Sequence, residues 1–163
     1  MNLPIPISKL SERVSRSKLI AKGLFGIEFQ TAKGDDYYFD VTTPILVNHV
    51  AKKVSKGSTI LDMGTGSMAV VGISLWKKRG CKVISCDINP ELVKLAEGNV
   101  KLNKAPIEVV ESSFFQNVEQ EFDTIVFNPP YVTASTGEQR ELSLERSSQW
   151  DGGEKGTDVL EGL

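Results

Sequence analysis

The stretch "STILDMGTGSMAVVGISLWKKRG", residues 58–80, decides the fold of this chain. Its beginning, "STILDMG" (58–64), is a short apolar run that ends at a glycine, which predicts a strand. Its remainder, "SMAVVGISLWKKRG" (67–80), is longer and is closed by another glycine, which predicts a helix. A strand that leads through a glycine turn into a helix is the first half of a βαβ unit.

The same alternation continues along the chain. Strands are predicted at "KVISCDI" (82–88), "IEVVES" (107–112) and "FDTIVF" (122–127), and a helix at "NPELVKLAEGNVKLN" (89–103). Short apolar strands that alternate with helices form parallel sheets covered on both faces. Because such crossovers are right-handed, we expect an α/β, Rossmann-like, doubly wound and mostly parallel sheet.

The region upstream of this alternation has a different pattern. Residues 25–41, "FGIEFQTAKGDDYYFDV", carry aromatic residues on both sides of "AKGD" and predict a β-hairpin. Residues 42–57 predict a helix with a proline in its first turn. We therefore divide the chain into an N-terminal arm with a hairpin, 1–41, and a core, 42–163.

Composition is that of a soluble globular domain, with 40% hydrophobic and 25% charged residues in 163. No apolar run approaches the ~18 residues of a membrane span. Cys81 and Cys86 flank one short strand and are expected to be free thiols, which favours a cytoplasmic protein. Their spacing argues against a zinc site, so we predict no metal.

The net charge of −2 is unevenly distributed. Residues 1–23 hold five basic residues and one glutamate, a net of +4, so residues 24–163 carry −6. A basic arm can steer a protein towards nucleic acid. A solvated amphipathic helix explains the same charges equally well.

The turn after the first strand, "LDMGTGSMA", contains Gly64-x-Gly66-x-x-Ala69. This is a variant of the glycine fingerprint of nucleotide-binding folds. The first glycine permits a tight turn, the second permits close approach of a ligand, and Ala69 is small enough for the helix to pack on the strand.

Two acidic residues restrict the ligand. A carboxylate at Asp62 would oppose a pyrophosphate at the helix N-terminus, which disfavours NAD, but it suits a ligand with an ammonium group. Asp87 lies 21 residues beyond Gly66, the usual separation for an acid that binds the two hydroxyls of a ribose. Ribose and ammonium without pyrophosphate describe S-adenosyl-L-methionine.

Together, "LDMGTG", "CDINP" and "FNPPY" resemble the class I S-adenosylmethionine-dependent methyltransferases, over roughly residues 42–158. Within that class they resemble the NPPY group, which includes N6-adenine methyltransferases and the HemK-like glutamine methyltransferases of release factors. The resemblance implies N-methylation of a planar exocyclic nitrogen. The substrate would be RNA or DNA in the first case and a release-factor-like protein in the second.

The "NPPY" corner has a chemical rationale in such an enzyme. The side-chain carbonyl of Asn128 and the backbone carbonyl of Pro129 can accept both N–H groups of the nucleophile and stabilise its developing positive charge. Tyr131 offers a flat face for stacking. We count Asn128 among the residues of the cofactor site as well.

One position departs from the family pattern. The third strand is commonly followed by an acidic residue that contacts the adenine amine, whereas "VVESSFF" places Ser113 there. A serine accepts a hydrogen bond more weakly than a carboxylate. Ser113 is nevertheless the predicted adenine contact.

Two further expectations concern the whole chain. The family continues beyond the fourth strand, so we expect the sheet to be truncated after "FDTIVF" (122–127), with that strand covered by another chain or by the hairpin at 25–41. The alternative to an enzyme is a non-catalytic module that binds a cofactor or a partner.

Overall fold

A computed structural model describes residue 10 and residues 13–31, 39–133 and 150–162. Its central sheet consists of β1 (Thr59–Met63), β2 (Lys82–Asp87), β3 (Glu108–Glu111) and β4 (Thr124–Phe127). The strands lie in the order β3-β2-β1-β4 and run parallel. The prediction of a Rossmann-like parallel sheet is therefore confirmed, and the structure places the first and fourth strands side by side.

The helices of the described residues lie between these strands or before them. They are α1 (Lys18–Phe25), α2 (Thr43–Lys53), α3 (Val70–Arg79) and α4 (Pro90–Leu102), followed by a 3₁₀ turn at Leu160–Gly162. Helix α4 begins as its sequence predicts, because the Asn89 side chain accepts a 2.9 Å hydrogen bond from the Glu91 N–H. No described helix is long and apolar enough to cross a membrane.

Helix α3 is buried along most of its length, and it packs on β1 and β2. A Cβ at Gly72 would lie 2.6 Å from Ser85 Oγ and 3.1 Å from Asp62 Oδ2, so the backbone of α3 approaches the sheet at this glycine. Ala69 is fully buried but lies before the helix, in the left-handed region with a φ of 47°. A close approach of helix and sheet thus lies at Gly72, three residues after the last position of the fingerprint.

The predicted hairpin at 25–41 finds no support in its described part. Phe25 ends helix α1, and residues 26–31 belong to no strand; residues 32–38, which contain the turn, lie outside the described residues. The aromatic residues pack into the core instead, with Phe25 edge-on to Phe29 and Phe39 at centroid distances of 6.4 and 5.3 Å. Side chains of α4 pair with the backbone of Glu28 and Gln30 in this region.

The chain divides into two compact units, Met1–Val126 and Phe127–Leu163. The first contains the helices α1–α4 and nearly all of the sheet. Its two cysteines, Cys81 and Cys86, are buried free thiols, as expected from the sequence.

We expect Gly72→Ala to lower the free energy of unfolding by about 1–3 kcal/mol, because the added methyl group forces α3 away from the sheet. The control is Gly98→Ala in α4, where a Cβ would meet nothing within 4 Å. That change should stabilise the protein by about 0.5–1 kcal/mol through helix propensity. Urea unfolding measures both; a Gly72→Ala variant as stable as Gly98→Ala would contradict the close packing.

Candidate active site

The carboxylate of Asp62 joins the carboxyl end of β1 to three neighbouring elements. Its Oδ2 accepts hydrogen bonds from Thr65 Oγ1 at 2.6 Å, the Gly72 N–H at 3.0 Å and Ser85 Oγ at 3.2 Å. These donors belong to the loop after β1, the first turn of α3 and strand β2 respectively. Among the described residues Oδ1 has no hydrogen-bond partner, so it is the oxygen left for a ligand.

Asp62 is only 2% exposed, and its burial dominates its titration. Burial raises the pKa of the Asp62 carboxyl to about 6, against the hydrogen bonds from Thr65, Gly72 and Ser85, which favour the charged form. The Gly72 amide is one of the N–H groups in the first turn of α3 that have no partner within the helix, and anions are stabilised at this end of a helix. A carboxylate of the chain itself therefore already occupies the position at which a pyrophosphate would be bound.

The loop between β1 and α3 depends on left-handed backbone at its glycines. Gly64 and Gly66 have φ values of 64° and 62°, which cost a residue with a Cβ about 1 kcal/mol or more. The Thr65 N–H donates to the Cys86 carbonyl at 2.9 Å and so ties the loop to β2. The two glycines therefore let the chain turn sharply over the ends of two strands.

Asp87 ends β2 and is 8% exposed. Its Oδ2 accepts from the Gly66 N–H at 2.9 Å and its Oδ1 from the Asn89 N–H at 3.0 Å. Both oxygens are thereby oriented, and each carboxylate oxygen can accept a further bond. The structure brings Asp62, Gly64, Gly66 and Asp87 together around one loop; their contact with a cofactor stays a prediction.

Ser113 follows β3 at the same edge of the sheet and is partially buried. Its hydroxyl has no hydrogen-bond partner in the described part of the chain. Its neighbour Ser112 is 4% exposed and structural, since its Oγ donates to the Phe114 carbonyl and accepts from the Asn117 N–H. Ser113 is thus the serine of this pair that remains available for a ligand.

The second unit begins at the end of β4 and contains the "NPPY" corner. Asn128 and Pro129 are partially buried, and Tyr131 is 47% exposed. Neither the Asn128 side chain nor the Pro129 carbonyl takes part in a hydrogen bond among the described residues. The acceptors that the sequence singles out are therefore uncommitted in this structure.

A glycine-rich segment braces this corner. Val132 pairs with residues 150–152: its N–H donates to the Trp150 carbonyl at 2.9 Å, and its carbonyl accepts from the Gly152 N–H at 2.8 Å. A Cβ at Gly152 would lie 2.8 Å from the Pro130 carbonyl oxygen, and one at Gly156 would lie 2.7 Å from the Tyr131 carbonyl oxygen. The corner is therefore held by close backbone packing as well as by its prolines.

Sequence reasoning missed several residues of the site. The hydroxyls of Thr65 and Ser85 and the missing side chain of Gly72 hold Asp62, yet none of the three belongs to the glycine fingerprint. Ser85 lies one strand away, and its contact depends on the parallel pairing that sets Asp62 opposite it. Only the polar Thr65, three residues after Asp62, carries a local signal as a partner for a buried acid.

A parallel sheet with a glycine loop at the carboxyl ends of its strands defines a nucleotide-binding α/β protein. The family model of the methyltransferase small domain matches residues 36–144, and the chain belongs to this family.

Individual relatives agree with this membership. The chain is 40% identical, over 106 residues, to a Methanocaldococcus jannaschii protein that bears the name protein N5-glutamine methyltransferase; the match covers 65% of this chain and 52% of the relative. It is 39% identical over 92 residues to the release factor glutamine methyltransferase of Lactococcus lactis, covering 55% and 34% respectively. The chain thus spans about half, or less, of these relatives.

A solved methyltransferase from Pyrococcus furiosus superimposes with a TM-score of 0.60 at 26% identity, covering 86% of this chain and 72% of that one. The catalytic domain of human Mettl16 gives a TM-score of 0.62 at 17% identity and shows the shared fold.

The raised pKa of Asp62 predicts a pH-dependent effect of Asp62→Asn, which keeps an acceptor oxygen but removes the charge. Because the native pKa of about 6 exceeds the ordinary 3.8, ionisation of Asp62 costs stability as pH rises between these values. The stability of Asp62→Asn relative to wild type should therefore increase by about 2–3 kcal/mol between pH 4 and pH 7.5.

Urea unfolding across that pH range measures this difference. The control is Asp123→Asn, since hydrogen bonds from Thr59 lower the pKa of Asp123 and its effect should vary only in acid, with stability lost as pH falls. A flat difference between Asp62→Asn and wild type from pH 4 to 7.5 would show that Asp62 is not buried as a charge.

Proposed function

We propose that the chain is an S-adenosylmethionine-dependent methyltransferase that methylates the side-chain amide nitrogen of a glutamine in a protein, such as a release factor. The observation that carries the proposal is the pair of uncommitted acceptors, the Asn128 side chain and the Pro129 carbonyl, directly after β4. Strand β4 lies next to β1, which bears the cofactor loop.

The cofactor is assigned to the loop of the first unit. Asp87 accepts the ribose hydroxyls, the backbone at Gly64 and Gly66 permits close approach, and Oδ1 of Asp62 faces the ammonium group. A cation at this point also offsets the cost of the buried Asp62 charge. Ser113 would accept from the adenine amine.

Methyl transfer requires of the protein mainly that it orient the amide nitrogen towards the methyl group. The amide nitrogen attacks the methyl carbon, the carbon–sulfur bond breaks with its electrons going to sulfur, and the products are a methylated amide and S-adenosylhomocysteine. The nitrogen lone pair is delocalised, so Asn128 and Pro129 assist by accepting both N–H groups as positive charge develops. The cationic nitrogen then releases a proton to water, while Tyr131 holds the amide plane by stacking.

A glutamine amide is favoured over adenine N6 of RNA or DNA for two reasons. The relatives at 39–40% identity bear the names of glutamine methyltransferases. In addition, a basic cavity of about 400 Å³ lies at the amino ends of the strands, on the edge opposite the cofactor loop. It is lined by Lys56, Trp76, Lys77, Lys78, Arg79 and Gly80. Its charge is therefore not placed to guide a nucleic acid to the loop.

Two broader proposals accompany this function. The buried free thiols of Cys81 and Cys86 support a cytoplasmic setting.

Strand β4 is the outer strand of the described sheet and Ile125 is 49% exposed, which supports coverage of this edge by another chain. The hairpin alternative loses support, because residues 27–30 are bound to α4, which packs on β2 and β3. Light scattering would detect such an association.

The substrate is tested by incubating the chain with methyl-tritiated S-adenosylmethionine and cell extract. We expect protease, and not RNase or DNase, to remove the label from the macromolecular fraction. Loss of label to a nuclease would instead identify RNA or DNA as the substrate, and absence of label with the cofactor bound would favour a non-catalytic module.

The same assay tests Asn128. We expect Asn128→Ala to lower turnover at least about a hundredfold, since it removes one preorganised partner of the transition state, while the Kd of the cofactor rises far less because Asp62 and Asp87 stay in place. Asn48→Ala, at an exposed asparagine of α2, is the control and should keep full activity. An Asn128→Ala enzyme with more than a tenth of wild-type turnover would refute the role of Asn128.

A further inference from the structure

Residues 27–30 precede helix α2 and lie outside the strands that the structure describes. Ile27 and Phe29 are buried, at 1% and 3% exposure, while Glu28 and Gln30 are exposed, which is the alternation of a strand. Extended backbone must still pair its N–H and C=O groups. Here two side chains of helix α4 provide those partners.

Asn103 pairs with Glu28 and Asn99 pairs with Gln30. The Glu28 N–H donates to Asn103 Oδ1 at 2.9 Å, and Asn103 Nδ2 donates back to the Glu28 carbonyl at 2.8 Å. The Gln30 N–H donates to Asn99 Oδ1 at 2.7 Å, and Asn99 Nδ2 donates back to the Gln30 carbonyl at 2.8 Å. Each asparagine amide therefore acts as the peptide group of a neighbouring strand would.

The spacing of the two elements makes this possible. One helical turn separates Asn99 from Asn103, a rise of about 6 Å, and two extended residues separate Glu28 from Gln30, about 6.6 Å. A helix can thus present two amides in register with alternate residues of an extended chain. Helix α4 thus supplies the hydrogen-bond partners on the side of the segment where the peptide groups of Glu28 and Gln30 lie.

The two asparagines differ in their second donor hydrogen. Asn103 Nδ2 also donates to the Asn99 carbonyl at 2.8 Å, within its own helix. Asn99 is fully buried, and its Nδ2 reaches the Leu95 carbonyl of its own helix at 3.2 Å but also donates to the Ser67 carbonyl at 2.9 Å, in the loop between β1 and α3. Of the two, only Asn99 connects the extended segment to that loop.

Ser67 occupies a sensitive position in the loop. It follows Gly66, whose N–H donates to the Asp87 carboxylate at 2.9 Å. Adjacent residues of the loop are therefore held from two sides, Gly66 by Asp87 and Ser67 by Asn99. A shift of the Ser67 carbonyl would move Gly66 and, through it, the acid assigned to the ribose.

We propose that Asn99 is a positioning residue that couples the order of residues 27–30 to the affinity of the cofactor loop. The inference rests on the proposed function, since it takes the loop as the site of S-adenosylmethionine. Coupling is reciprocal: if the docked segment favours the binding-competent loop, ligand binding must favour the docked segment.

The matched variants Asn99→Ala and Asn103→Ala test this coupling. Each removes one pair of contacts with the segment, but only Asn99→Ala frees the Ser67 carbonyl. Calorimetric titration with S-adenosylhomocysteine should show a Kd raised at least tenfold for Asn99→Ala and within twofold for Asn103→Ala. Equal effects of the two variants would reduce Asn99 to a structural role and overturn the proposal.

Hydrogen exchange gives a second readout, which does not depend on the Asn99→Ala variant. Saturating S-adenosylhomocysteine should slow exchange of the Gln30 amide in the wild type and in Asn103→Ala. An unchanged Gln30 amide in a wild-type protein that binds the ligand would overturn the coupling alone, whereas a wild type that binds no ligand would refute the proposed function and the coupling with it. If Asn99→Ala does not fold, Asn99→Asp replaces it, because it accepts from Gln30 but cannot donate to Ser67.

Discussion

The buried carboxylate of Asp62 is the interaction on which the site depends. One oxygen receives donors from the loop after β1, from the first turn of α3 and from β2, so the position of each element constrains the others. Burial makes the charge expensive, as its raised pKa indicates. A buried carboxylate whose Oδ1 has no hydrogen-bond partner among the described residues is suited to a cationic ligand group. The same negative charge disfavours a pyrophosphate at the helix N-terminus.

Much of this arrangement could be predicted from the sequence. Parallel strands place their carboxyl ends at one edge, so Asp62, Gly64, Gly66 and Asp87 had to converge once the strands were recognised. The close approach at Gly72 could not be located, because it depends on where the α3 backbone crosses the sheet. It falls beyond the fingerprint, which draws attention to Ala69.

In the N-terminal region, by contrast, the sequence does not predict which element pairs with the extended segment. Alternating buried residues at Ile27 and Phe29 predict a strand, and the local pattern is indeed extended. Its partner, however, is a helix whose asparagines are separated from it by 69 and 75 residues. Asparagines four apart on a helix carry no signal for such pairing, because they are also common on solvated surfaces.

The "NPPY" corner shows how stiffness can come from a distant segment. The two prolines fix local backbone angles, but Gly152 and Gly156 allow the chain to lie directly against the carbonyls of Pro130 and Tyr131. Small residues there let the two backbone segments pack closely. Preorganised acceptors of this kind are what methyl transfer to a weak nitrogen nucleophile requires.

We propose that the loop after β1, together with Asp62 and Asp87, binds S-adenosylmethionine. Calorimetric titration of the wild type and of the Asp87→Ala variant, each with S-adenosylmethionine and with NAD, measures this binding. We expect S-adenosylmethionine to bind, and Asp87→Ala to weaken that binding at least about tenfold, a loss of about 1.4 kcal/mol or more, because the ribose hydroxyls lose their acceptor. Binding of NAD as tight as that of S-adenosylmethionine, or an unchanged affinity in Asp87→Ala, would contradict it.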